Sequence, residues 1–143
     1  MIRKMEPRDR DSVVDLALAF GKERLEPAMS IDREAAEAQF DQFILMPSVQ
    51  AIVAEEDGVV VGMIVCFVSP MLFTSQVIGQ EVVWYVKKEH RGQGLRLLKY
   101  MENLLKSLNC VAIMMVGLDV DVYRMYERLG YFEFQRSYFK RLV

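Results

Sequence analysis

Val82-Val83-Trp84-Tyr85-Val86, followed after Lys87-Lys88-Glu89-His90 by Arg91-Gly92-Gln93-Gly94-Leu95-Arg96, decides how this chain is read. The apolar, β-branched and aromatic run is a buried strand. The glycine-containing turn then delivers the chain onto a helix, since Leu97, Leu98, Met101, Leu104, Leu105 and Leu108 recur at i, i+3, i+4 spacing. At such a helix start, backbone N–H groups without intrahelical partners face outward and favour an anion. Gly92 and Gly94 remove Cβ atoms where a pyrophosphate could approach the main chain, and Lys87, Lys88, Arg91 and Arg96 surround it with positive charge. The stretch therefore reads as a cradle for a nucleotide-type cofactor.

Two better-known cradles are excluded by the residues present. A dinucleotide fingerprint needs a small residue at Leu97, and a phosphate loop of the Walker type needs Gly-Lys-Ser/Thr. What remains resembles the acetyl-coenzyme A loop of the GNAT family of N-acetyltransferases, whose pattern is Gln/Arg-x-x-Gly-x-Gly/Ala at a helix start. Arg91 and Gly94 match it; Arg96 stands where the family usually has Gly or Ala. Downstream, Tyr126-Glu127-Arg128-Leu129-Gly130-Tyr131 resembles the family's Tyr-x-x-x-Gly-Phe segment. The apolar run Val111 to Val116 lies between the two and reads as a central strand buried on both faces.

The resemblance implies an α/β fold: one mixed β-sheet of about six or seven strands, flanked by about four helices, with two central strands that splay apart. All 143 residues form one such domain. It implies acetyl-coenzyme A as co-substrate, with no metal. Trp84, Tyr85 and Val86 would line the cofactor arm, Arg91, Gly92, Gln93, Gly94, Leu95 and Arg96 would hold the pyrophosphate, and Asp119 falls where the family often has an Asn on that arm. Acyl transfer to an amine needs a base, because an amine with a pKa near 10 is protonated at neutral pH. Glu81 matches a position where family members keep a catalytic Glu, and Tyr126 matches the Tyr that protonates the leaving thiolate, with Tyr123 in reserve. Glu23, Glu26, Met29 and Phe73 are candidate acceptor contacts. Arg96 has two readings. It either reaches a phosphate or fills the cradle, and in the second case the chain is a non-catalytic binding module.

Composition sets further bounds. The length suits a single domain of roughly 100–200 residues with its own core. The first apolar run is broken by Asp15 and preceded by both charge signs, so no targeting peptide is expected, and no apolar stretch reaches the ~20 residues of a membrane span. A soluble, cytoplasmic protein is the expectation. Cys66 and Cys110 lie inside apolar runs, as reduced core residues. Residues 1–86 carry a net charge of −7 and residues 87–143 one of +5. The basic part suits a phosphorylated cofactor, and the acidic part would steer an amine-bearing small molecule, protein or peptide acceptor. The near-cancellation and the lack of an aromatic RNA-binding motif argue against direct nucleic-acid binding. His90, the only histidine, has no partner in the sequence for a metal site or a triad.

Around this centre the chain reads as a strand (1–5), a helix capped by Asp9 or Asp11, and an irregular link from Gly21 to Ser30. A second helix follows from Ser30 or Asp32, and then a hairpin turning at Asp57-Gly58. Ser69 to Gly79 is an apolar loop, either tucked on the core or available as an acceptor wall or subunit contact. A strand or tight hairpin over Phe132 to Leu142 ends the domain. This ending is shorter than the family's usual pair of strands, so either an open acceptor side or completion of the site by a second subunit in a homodimer is a further expectation.

Overall fold

A computed structural model describes all residues from Met1 to Val143. Strand β1 (Ile2–Lys4) leads through a 3-10 turn into α1 (Arg10–Phe20), a π-helical turn (Gly21–Leu25) and α2 (Arg33–Phe43). The chain then forms β2 (Val49–Glu56), β3 (Val59–Pro70) and β4 (Val77–Val86). A 3-10 segment (Lys88–Gln93), α3 (Gly94–Ser107), β5 (Ala112–Met114) and α4 (Val120–Arg128) complete it. The five strands make one mixed sheet in the order β1-β2-β3-β4-β5, antiparallel except for the parallel β4–β5 pair.

The sheet separates two apolar layers. On one face Val13 and Leu16 of α1 and Phe40 of α2 pack on Ala51, Val53, Met63, Val65 and Tyr85. On the other, Leu97, Leu98, Met101 and Leu105 of α3 pack on Ile52, Ile64, Cys66 and Val86. Each of these buried α3 side chains contributes about 2 kcal/mol of transfer free energy. Gly79 lets α3 sit close against β4: a methyl group there would lie 2.5 Å from Leu105 Cδ1. Asp57 and Gly58 both take positive φ, 50° and 77°, as a tight turn between β2 and β3 requires.

Several expectations change. The sheet has five strands rather than six or seven, because Phe132 to Leu142 forms no ladder and is largely solvent-exposed. Its side chains alternate, but only Arg141 is anchored, donating to the Ala28 carbonyl at 2.8 Å. β5 lies at the sheet edge, not its centre, and Val111 beside it is 62% exposed; a continuous apolar run does not by itself distinguish the two places. The apolar loop shrinks to residues 71–76, since β3 and β4 extend into it, and its Leu72 and Phe73 point into solvent rather than onto the core. Asp9 precedes α1 without capping it. Its carboxylate instead takes both Arg3 Nη groups at 2.9 Å and the Glu6 N–H at 2.8 Å. Asp32 does cap α2, accepting from Ala35 N–H at 2.8 Å. The link from Gly21 is not irregular at its start: Gly21, helical in φ/ψ and buried, carries α1 into the π-helical turn, and a methyl there would press on Ile31 at 3.1 Å. No helix is long and apolar enough to cross a membrane.

Candidate active site

A break in register opens the site. β3 and β4 pair as Cys66↔Glu81 and Val65↔Val83, which leaves Val82 as an extra residue on β4. Such a bulge bends its strand and increases the local twist. β4 and β5 accordingly pair only at Ile78↔Ala112, Gly79↔Ile113 and Gln80↔Met114, and then part. Beyond the bulge, the Lys87 N–H donates to the Val61 carbonyl at 2.9 Å. Strand alternation then turns the main-chain groups of Val83 and Tyr85 toward β3 and those of Trp84 and Val86 toward the gap.

One residue across that gap, Val116, joins the two side chains expected from the sequence to be catalytic, through its own N–H and its own carbonyl. The Val116 N–H donates to Glu81 Oε2 at 2.9 Å, and the Tyr126 hydroxyl donates to the Val116 carbonyl at 2.8 Å. Glu81 is 7% exposed. Loss of water pushes its carboxyl up to about 7, with the Val116 N–H pulling weakly the other way. Burial likewise raises Tyr126, helped by the nearby Glu81 carboxylate, so the phenol holds its proton through the neutral range. The Tyr126 ring lies between those of Trp84 and Tyr131, at centroid distances of 6.1 and 5.3 Å. The Trp84 indole N–H and the Tyr131 hydroxyl are buried without a partner in the chain. Tyr123, on the same helix, is half exposed and packs near Gly117.

The loop after β4 is pinned at several points. Glu56, at the end of β2, takes the Gln93 side-chain amide at 2.5 Å and contacts His90 Nδ1. The Gly94 N–H bonds the Arg91 carbonyl, so this donor is already used by the 3-10 turn that runs into α3. A methyl at Gly92 would meet no atom within 4 Å, so no packing within the chain asks for a glycine there. Gly94 lies over the Trp84 ring, 3.6 Å from Cζ2 to where its Cβ would stand. Leu95 is half exposed, and Arg96 is exposed with its guanidinium on Gln93 Oε1 at 2.9 Å, leaving Gly92 uncovered, while Gly94 is buried. Arg91 turns inward. Its Nε donates to the Val86 carbonyl at 2.8 Å, its Nη2 reaches both Glu23 oxygens at 2.7 and 2.9 Å, and it lies over the Tyr85 ring.

The proposed acceptor residues separate into two groups. Glu23 joins the end of β4 and the loop after it, since the Tyr85 hydroxyl also donates to it at 2.8 Å. Burial would raise its carboxyl, but the Arg91 and Tyr85 bonds outweigh that and hold it below the usual carboxylate value. Glu26 and Met29 are exposed on the α1–α2 link, and Phe73 is 97% exposed at the tip of the β3–β4 hairpin, joined to neither cluster. Asp119 caps α4 through the Val122 N–H at 2.9 Å and pairs with Arg24 at 2.9 Å. Sequence reasoning missed the Val82 bulge, the main-chain contacts of Val116 and the Arg24–Asp119 pair. The bulge leaves no mark in an all-apolar run, and the pair joins residues too far apart for any spacing rule. No group of three or more His, Cys, Asp and Glu side chains is placed to hold a metal ion.

Residues 14–131 match the family model described as the acetyltransferase (GNAT) family. Among solved structures, a ribosomal-protein-alanine N-acetyltransferase from Brucella melitensis biovar Abortus 2308 is 20% identical with a TM-score of 0.78, over 99% of this chain and 98% of that one. Glucosamine-6-phosphate N-acetyltransferase from Arabidopsis thaliana is 19% identical, also at 0.78, over 100% and 98%. A GNAT family acetyltransferase from Staphylococcus aureus is 16% identical at 0.75, over 99% and 98%. At these identities the likeness is one of fold. Compared by sequence with the curated proteins, the chain matches none.

Proposed function

Since the chain belongs to the GNAT family of acetyltransferases, we propose that it transfers an acetyl group from acetyl-coenzyme A to a primary amine by direct attack. The observation that carries this reading is the main chain of Val116 held between Glu81, on its N–H, and Tyr126, on its carbonyl, where β4 and β5 part. Two of the structural neighbours carry N-acetyltransferase names, one for a ribosomal-protein alanine and one for an amino-sugar phosphate, which supports an amine-bearing small molecule or protein as acceptor class.

The residues present fit the cofactor. The edge of β4 offers the unladdered main-chain groups of Trp84 and the Val86 N–H to an extended amide-containing arm, the Val86 carbonyl being held by Arg91 Nε. Gly92 leaves the loop backbone open, and Lys87, Lys88, Arg91 and Arg96 supply cations for a diphosphate. When bound, the thioester supplies an activated acetyl carbon. Glu81 is the base: with its carboxyl pushed up to about 7 it is ionised in useful fraction at neutral pH and basic enough to take a proton from an ammonium, directly or through water. Tyr126 is the acid: its hydroxyl, which donates to the Val116 carbonyl in the free chain, would turn its proton toward the leaving thiolate. Asp119 keeps α4, and with it Tyr126, oriented through its cap.

Acetyl-coenzyme A consumption across a panel of amines and peptides, run with Glu81→Gln and Tyr126→Phe, tests the proposal. Turnover of at least one amine, falling at least tenfold in both variants, supports it. Unchanged rates would discard both assignments.

A further inference from the structure

Glu23 and Arg91 meet at a place where the reaction proposed above, on which this inference rests, needs Arg91 for something else. The Arg91 Nη2 reaches both Glu23 oxygens at 2.7 and 2.9 Å, and the Tyr85 hydroxyl adds a third bond to the same carboxylate at 2.8 Å. Glu23 sits on the π-helical turn Gly21–Leu25, where an i→i+5 bond from the Glu26 N–H to the Gly21 carbonyl widens the helix. The next residue, Arg24, pairs with Asp119 at the start of α4. Arg91 follows β4, and Asp119 follows β5. A single turn thus reaches both sides of the gap between those strands, through one acidic arm and one basic arm.

We infer that Glu23 is a built-in competitor for the cofactor's diphosphate, occupying Arg91 until phosphate oxygens replace it. A carboxylate and a phosphate offer a guanidinium the same pair of charged acceptors, so binding exchanges one partner for the other rather than adding one. The free chain therefore holds its loop cation neutralised and in place, with Nε kept on the Val86 carbonyl at 2.8 Å. Exchange leaves Glu23 without Arg91 at the mouth of the gap, with only the Tyr85 hydroxyl at 2.8 Å and the Arg24 Nε, itself committed to Asp119, at 4.0 Å. The Glu23 carboxylate is the group with which the ammonium of an incoming acceptor would pair. Glu23 then answers to cofactor occupancy, unlike a fixed acceptor contact.

Calorimetric titration with coenzyme A, and separately with pantetheine, of the full chain and of Glu23→Gln tests this. Glu23→Gln is expected to bind coenzyme A about threefold to thirtyfold more tightly, the range for losing one partly exposed charge-assisted pair, while pantetheine, which lacks the diphosphate, binds both equally. Glu23→Ala replaces it if the amide variant does not melt cooperatively. Equal or weaker coenzyme A binding by the variant, with wild-type binding intact, overturns the inference and leaves the transferase reading standing. An equal gain for pantetheine also overturns it, since the effect would then not pass through the diphosphate. Failure of both proteins to bind coenzyme A overturns both readings.

Discussion

Replacing Glu81 with Gln should make the protein more stable at alkaline pH while removing its activity. The carboxyl is 7% exposed and titrates at about 7 in the folded chain against an ordinary 4.5. Below pH 4.5 it is neutral whether the chain is folded or not, and its contribution to stability is complete. Between pH 4.5 and about 7 the unfolded chain ionises first, so stability falls as pH rises through that window, and above it the loss is full. Keeping the carboxylate ionised in its dry surroundings at pH 8 costs about 3 kcal/mol. A Gln is neutral throughout, and its carbonyl oxygen can still accept the Val116 N–H. Urea unfolding at pH 5 and pH 8 measures this: the wild type should lose about 2–3 kcal/mol more than Glu81→Gln between the two. Turnover of the variant should fall by about 10²-fold or more, and the wild-type rate should rise with pH through an apparent pKa near 7. Parallel stability profiles for the two proteins would refute the claim that desolvation sets this carboxyl.

Tyr126→Phe keeps the ring against Trp84 and loses the bond to the Val116 carbonyl; about 1 kcal/mol of stability and about 10²-fold in kcat should go, checked by thermal melts and steady-state assay. Gly62→Ala places a methyl 2.9 Å from Val86 Cγ2 and 3.2 Å from Leu97 Cδ1 and the Tyr85 carbonyl. Crowding there should cost about 1–3 kcal/mol, read as a lower Tm, because two side chains and a main-chain oxygen must all give way.

The helix α3, the turn at Asp57-Gly58 and the strand β4 were legible because each rests on local chemistry: a heptad-like spacing of leucines, two residues that tolerate positive φ, and a dense β-branched and aromatic run. Glu81 and Tyr126 were singled out through motif resemblance, and the main chain of Val116 is a partner of both, although nothing local pointed to it. What escaped depends on partners distant in sequence. Val82 becomes a bulge only through its pairing with β3. Val111 to Val116 is apolar like a central strand, yet it ends at the sheet edge because Phe132 to Leu142 never joins it. Gly21 to Leu25 read as part of an irregular link, but it is a π-helical turn in which Gly21 lets Ile31 approach. Glu23 looked like a free acidic contact, but Arg91 holds it.

Residue-resolved amide hydrogen exchange with and without acetyl-coenzyme A tests the gap between β4 and β5 most directly. Slowed exchange at Trp84, Val86 and the residues from Arg91 to Arg96 is the predicted result, with the β2 amides unchanged. Protection confined to other parts of the chain, or none at saturating ligand, would contradict the account.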